Sequence, residues 1–427
     1  MTEPQTGANS ADGAGNDVGG AAATRHKPKL AKLMGPAFVA AVAYVDPGNV
    51  AANITAGARY GYLLLWVLVA ANVGAVIVQY LSAKLGIVTG KSLPQLLGDR
   101  MRKGPRIAFW AQAEIVAAAT DLAEIIGGAI ALQLLFGVPL FWSGVIVGLV
   151  SMVMLNFQSR KGQQKFEHLI IAFLFIITIG FLAGLVMAPP DGGEVLRGLI
   201  PRFEGTDTVL IAASMLGATI MPHAIYLHSS LVNDRHGNEG EHSKDTLLKA
   251  TRVDVSGALA LAGMVNIGLL LLAASALHGV QGTDTIEGAH AAIGNALGPV
   301  IATVFAVGLL ASGLASTSVG AYAGSEIMRG LLHIKFSLLA RRLITLVPAL
   351  VILATGVNPT WALVISQVVL SVGIPFALVP LISLTRNHEV MGRYANTGAL
   401  RWVAGFIAAL IIALNVMLLW LTFTGQG

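Results

Sequence analysis

Asp46 stands in the stretch Ala43-Tyr44-Val45-Asp46-Pro47-Gly48-Asn49, inside an otherwise apolar run from about residue 34 to about residue 56. A carboxylate at that depth of a bilayer-length segment is costly, so it marks a working site. Pro47 has no N–H to donate, and the carbonyl of Ala43, four residues back, loses its helical partner. Free backbone within a membrane survives only where protein or a wet cavity covers it. Asp46, Asn49 and the Ala43 carbonyl therefore offer three oxygens at one helix break. That is half of a cation site.

The other half is Leu216-Gly217-Ala218-Thr219-Ile220-Met221-Pro222-His223. Pro222 frees the carbonyl of Ala218 by the same logic, and Met221 adds a thioether sulfur. Two broken helices in corresponding places of two halves point to the binding site of a secondary transporter. Oxygen ligands alone suit Mg²⁺ and Ca²⁺, whereas a thioether selects softer transition metals. A plainer reading makes both segments proline-kinked packing helices, with Met221 filling a gap. It leaves Asp46 unexplained.

Asp46-Pro47-Gly48-Asn49 taken with Met221-Pro222-His223 resembles the Nramp family of proton-coupled divalent metal transporters, of the bacterial manganese and iron type. The resemblance runs from about Lys32 to about Leu421. It implies that Asp46, Asn49, Met221 and the carbonyls of Ala43 and Ala218 bind Mn²⁺ or Fe²⁺ as cargo, and that Asp46 takes a proton. It further implies a leucine-transporter-type fold of two inverted five-helix repeats. Magnesium-carrying relatives lack the methionine, so Met221 argues against that branch.

Three more acids, Glu114, Asp121 and Glu124, lie on one apolar segment at spacings of seven and three. At about 100° per residue they fall within an arc of roughly 80° on one helical face. Carboxylates in a row within a membrane suit a proton relay, and they equally suit ion pairs with buried arginines. The family resemblance implies that Asp121 and Glu124 lie on a proton exit route, with Arg341 and Arg342 as partners. His223 follows Met221 by two residues, and histidine changes charge near neutral pH. It reads as a proton-linked or gating residue, or as a packing residue held by hydrogen bonds. Gln367 carries an amide oxygen in a late apolar segment. It fits a metal ligand in one conformation, which the resemblance supports, or a polar bridge between helices. His228, Asn72 and Asn266 read as structural.

The elements that must position these residues are membrane helices. Of 427 residues, 55% are hydrophobic and 11% charged, against about 25% charged in soluble domains. Apolar runs of about 20 residues recur, so the chain is an all-α polytopic membrane protein. Eleven spans are expected near 34–57, 62–87, 107–135, 140–157, 166–188, 207–231, 253–277, 299–328, 343–357, 360–385 and 402–422. The first and sixth are broken, and Pro348 makes the ninth irregular. Repeat one covers about 34–188, repeat two about 207–385, and the last helix is an addition, all within one transporter domain of 32–422. Residues 1–31, Gly-, Ala- and Asn-rich, read as a disordered cytoplasmic tail, and 423–427 as a short extracellular one.

With the N-terminus inside, the cytoplasmic segments collect 24 of the 27 lysines and arginines, Arg341 and Arg342 among them. The outside keeps Arg59, Arg197 and Arg202. One helix more or fewer would spoil that asymmetry. The net charge of +5 then belongs to an anionic leaflet, and no nucleic acid is needed to explain it. No phosphate-binding loop of the Gly-x-x-x-x-Gly-Lys-Ser/Thr type occurs, so no nucleotide drives the process, and no catalytic nucleophile motif is present. Cysteine is absent, which removes disulfides and thiolate metal sites. The chain is expected to be no enzyme and to hold no resident cofactor, with metal ions, protons and the lipid bilayer as its partners.

Weaker signals are set aside. The sequon at Asn53 falls within the first broken helix, and His236 to His242 reads as a solvated cytoplasmic loop. Asp284, Glu287 and His290 read as an outer loop, and Glu326 with Arg329 as a helix-end pair. Gly257, Gly263, Gly308 and Gly313 read as places of close helix approach. The reading is a metal–proton symporter of the cell membrane, with its C-terminus outside and a monomer as the working expectation. The alternatives are a magnesium or amino-acid symporter on the same architecture, and a passive cation channel.

Overall fold

The computed structural model describes residues 33–236, 243–283, 285–334, 337–357 and 359–424, and within them every regular element is helical. The chain opens with α1 (Pro36–Val42), a 3₁₀ turn (Ala43–Val45) and α2 (Pro47–Tyr60). Next come α3 (Leu65–Thr89), α4 (Leu93–Arg100), α5 (Lys103–Phe136), α6 (Leu140–Lys161), α7 (Gln163–Leu182), α8 (Gly184–Met187) and α9 (Gly192–Gly198). The second half runs through α10 (Thr206–Thr219), α11 (Pro222–His236), α12 (Lys244–Ala276), α13 (Ile286–Leu297) and α14 (Pro299–Leu332). It closes with α15 (Leu338–Ala354), α16 (Pro359–Arg386), α17 (His388–Met391) and α18 (Gly398–Thr424).

Both expected breaks are present, and proline makes each of them. Pro47 and Pro222 occupy first-turn positions of α2 and α11, where a missing N–H costs nothing. The chain therefore restarts a helix at the residue that could not continue one. Seven helices among the described residues are long and apolar enough to cross a membrane, α3, α5, α12 and α14 among them. A two-part unit, α10 with α11, counts as one of the seven.

The centre of the bundle is the pairing of α5 with α14. Gly128 meets Gly313 there, backbone to backbone, and Gly180 meets Gly308 where α7 crosses α14. Neither crossing has room for a Cβ, so these glycines set how closely the helices lie. Gly127 likewise receives the ring of Pro47, which seats the first break against α5. On the other side α12 packs along α2 and α3. Gly263 sits against Asn72, but Gly257 faces open space and serves no helix contact.

Several expectations need correction. Arg341 and Arg342, expected just before a ninth span at about 343, lie in the first turns of α15, which begins at Leu338, and are buried. Their carboxylate partners on α5 make that burial tolerable. Pro348 lies inside α15 without ending it. Glu287 and His290 sit on α13, an amphipathic helix, not in an irregular loop. Residues 237–242 of the histidine-flanked tract, Asp284, the tail before Leu33 and residues 425–427 lie outside the described residues.

Candidate metal site

Asp46 is the N-cap of α2, in extended backbone that turns its carboxylate back over the first turn. Its Oδ1 accepts from the Asn49 backbone N–H at 2.8 Å and from the Asn49 side-chain amide at 2.7 Å. Oδ2 is buried and has no hydrogen-bond partner among the described residues. One oxygen therefore caps the helix while the other points its charge into the break. A buried carboxylate oxygen left this way is costly unless a cation or proton visits it.

The Asn49 amide nitrogen also donates to the Ala218 carbonyl at 3.1 Å. This one contact ties the two breaks together across the bundle. A polarised N–H₂ group stands between a carboxylate and a carbonyl, the place where a cation would bridge the two oxygens. Turning the amide over would present its own oxygen to the same point. Gln367, half-buried on α16, abuts Gly48 so closely that no Cβ fits between them. Met221 is fully buried between the end of α10 and the start of α11. Asp46, Asn49, Ala218 and Gln367 are thus brought together, and Ala43 lies in the 3₁₀ turn just before them.

The break exposes more backbone than its prolines alone predict. Asn266 on α12 donates to the Tyr44 carbonyl at 2.7 Å, and Asn53 holds Asn266 from the other side at 2.9 Å. Ser312 on α14 donates to the Val45 carbonyl. These contacts pay for the unwound segment, and Ser312 carried no signal in the sequence. Asn266 did, as an amide in a membrane helix. The Tyr44 hydroxyl accepts from Gln79, whose own oxygen meets His228 at 2.7 Å.

The carboxylates of α5 form a line away from the break. Glu124 is fully buried and has no ion-pair partner among the described residues. The charged groups acting on it are Asp121, Asp46 and Arg342. Asp121, also fully buried, meets Arg342 at 3.4 Å and Arg341 at 3.7 Å. Arg341 then reaches Glu114 at 2.9 Å, and Glu114 is partly exposed. The ion-pair reading is met at two of the three acids. Asp121 and Glu114 are held by arginines, while Glu124 stands unpaired between them and Asp46. His223 is buried on α11, with neither ring nitrogen hydrogen-bonded among the described residues. Asp121 and Arg341 are the charged groups that act on it.

At the opposite end of α1, Asp254 accepts from the backbone of Gly35 and Ala37, both at 3.0 Å. It closes the start of the broken helix against α12. Asp254 was missed, although an acid within a membrane-length segment was the available signal. Among the described residues no three His, Asp or Glu side chains gather as a metal cluster. The site at the breaks thus has one carboxylate with neutral companions, a donor set suited to a dication that must leave again.

The sequence matches the family described as natural resistance-associated macrophage protein-like, Nramp, over residues 37–421. The chain belongs to the Nramp family. This Nramp protein is 58% identical over 394 residues to a Mycobacterium tuberculosis protein named divalent metal cation transporter MntH, covering 92% of each chain. It superposes on the Eremococcus coleocola manganese transporter with a TM-score of 0.82 at 32% identity, over 91% of this chain and 86% of that one. Mhp1, a nucleobase-cation-symport-1 family transporter, matches with a TM-score of 0.58 at 16% identity, over 90% and 89% of the two chains. That likeness concerns the fold alone. The Nramp chain has the leucine-transporter-type fold, and it is a multi-pass membrane transporter rather than an enzyme.

Proposed function

We propose that this Nramp protein imports divalent transition metal ions, Mn²⁺ and Fe²⁺ foremost, by alternating access coupled to protons. The observation that carries the reading is the contact of Asp46, Asn49 and the Ala218 carbonyl where the two broken helices meet. Membership of a family whose relatives are named for divalent metal transport supports it. The incoming ion sheds water for Asp46, Asn49, Met221 and the carbonyls of Ala43 and Ala218, and Gln367 joins in one conformation. Binding a dication favours ionised Asp46 and expels any proton it holds. That proton passes to Glu124 and Asp121 and leaves past Arg341, Arg342 and Glu114, while His223 lines the exit side. The eleven-span arrangement, the two repeats of about 34–188 and 207–385, a cytoplasmic N-terminus, an extracellular C-terminus and a monomeric state belong to the same proposal.

The test is uptake into vesicles of purified protein across a panel of divalent ions, with internal pH recorded in the same assay. Mn²⁺ or Fe²⁺ entry with acidification is expected. Metal entry without acidification, under every imposed pH gradient, would remove the coupling. In the same assay, Met221→Ala is expected to keep partial Mn²⁺ uptake while letting Ca²⁺ or Mg²⁺ compete. The loss of a soft ligand removes discrimination more than it removes binding. Unchanged selectivity would leave the sulfur without a role.

A further inference from the structure

Lys84 is a buried cation that no part of the transport reading uses. It lies on α3, five residues before that helix ends at Thr89, or about 7.5 Å inside its end. Its Nζ donates to Asn396 Oδ1 at 2.7 Å. Among the described residues no carboxylate comes within ion-pair distance of it, and Arg252 on α12 is the charged group acting on it. Arg252 has no ion-pair partner among the described residues either, and lies over the Tyr80 ring at 5.6 Å. Tyr80 is one turn before Lys84 on the same face of α3. Of the two acids on α12, Asp245 is engaged by Arg393 at 3.1 Å. Asp254 caps α1.

Asn396 completes the pattern. Lysine only donates, so Asn396 must turn its oxygen to Lys84 and its amide nitrogen the other way. That nitrogen is buried and has no acceptor among the described residues, while the backbone N–H of Asn396 is held by Thr385 at 2.8 Å. Lys84 and Asn396 touch, Arg252 stands nearby over Tyr80, and no anion pairs with either cation among the described residues. Buried donors of this kind are costly until an acceptor arrives.

The surroundings say which acceptor. Along α3, the exposed Val69 and Val73 and the half-buried Ile77 and Tyr80 form one stripe that ends on Lys84. Along α12, Arg252, Ser256, Ala260 and Met264 form the matching exposed stripe at four-residue spacing. Gly257 beside it faces open space. Two packed membrane helices therefore present exposed, mostly apolar stripes that lead to basic residues, and basic sites between membrane helices hold anionic headgroups.

We propose that Lys84, Arg252 and Asn396 bind the phosphodiester of an anionic phospholipid, whose acyl chain lies along the α3 and α12 stripes. A free phosphate would supply the same charge, but the stripes give it nothing to bury.

Native mass spectrometry of the full-length protein in detergent tests this, with phosphatidylglycerol, phosphatidylcholine of matched chains and inorganic phosphate as probes. Retention of phosphatidylglycerol over phosphatidylcholine is expected. Arg252→Gln should cut that retention about fivefold, the size expected for one basic residue at an anionic lipid surface. Arg252→Lys, which keeps the charge, should hold most of it, and Arg197→Gln, which breaks the exposed pair with Glu194 on α9, should change nothing. Arg252 is exposed, so its variants are expected to unfold at the wild-type temperature, checked in the same detergent. Equal retention of both lipids, equal loss in Arg252→Gln and Arg197→Gln, or release of the lipid by millimolar phosphate would each overturn the assignment.

Discussion

Asp46→Asn is expected to lower Mn²⁺ uptake by about 100-fold or more, since even outer partners of metal ligands cost about 10- to 100-fold when lost. The substitution removes the one negative charge at the breaks and little else. Asparagine caps a helix as well as aspartate does, so α2 should still begin at Pro47 and the thermal unfolding temperature should hardly move. Asp46→Ala is the less informative variant, because it also removes the acceptor for Asn49 at 2.8 and 2.7 Å. Loss of the cap alone costs about 1 kcal/mol. Uptake in proteoliposomes, with calorimetric binding of Mn²⁺ to the same preparation, separates ligand from cap. Near-normal uptake by a well-folded Asp46→Asn protein would sink the site.

Arg342→Met is expected to destabilise the protein by about 3–5 kcal/mol, because it strands the Asp121 carboxylate within the bundle. Arg342 is fully buried, meets Asp121 at 3.4 Å and donates to the Ser151 hydroxyl at 2.9 Å. Arg341, at 3.7 Å, remains but is already committed to Glu114, so the effect falls toward the lower end. Removing both charges with Arg342→Met and Asp121→Leu should recover at least half of the loss, since a buried ion pair is weak evidence of net stability. If the double variant is stable and takes up metal without acidifying the vesicle, the pair serves the proton route. If it acidifies the vesicle normally, the pair is only a structural tie. An Arg342→Met protein as stable as wild type would show that Asp121 is not held by this pair.

Much of the site was legible because its chemistry is local. Asp46, Pro47 and Asn49 sit within one turn, and a proline's effect on the carbonyl four residues back needs no tertiary information. The Glu114, Asp121 and Glu124 face followed from helical periodicity alone, and it is a real line in the structure. The breaks fell where proline placed them. What sequence reasoning missed depended on distant partners. Ser312 supports the Val45 carbonyl from 267 residues away, and nothing in its own neighbourhood announces that. That Arg341 and Arg342 are buried inside α15 depended on the same kind of partner. Two arginines look like a helix boundary from hydropathy alone, and only their distances to Asp121 and Glu114 show them held inside the bundle. Gly257 shows the converse error, since a glycine in a membrane helix reads as a contact whether or not another helix is there.

The sequence by itself determined that this is a helical membrane protein, where its two helices break, and which residue types stand at those breaks. Hydropathy, proline's missing donor and the cost of a charge in lipid are properties of single segments. Only the tertiary structure decided that the Asn49 amide reaches Ala218, that Glu124 has no ion-pair partner among the described residues, and that Lys84 and Arg252, near each other, have none there either. Those are statements about groups dozens to hundreds of residues apart. Their energies depend on which partners burial leaves within reach, and packing alone sets that.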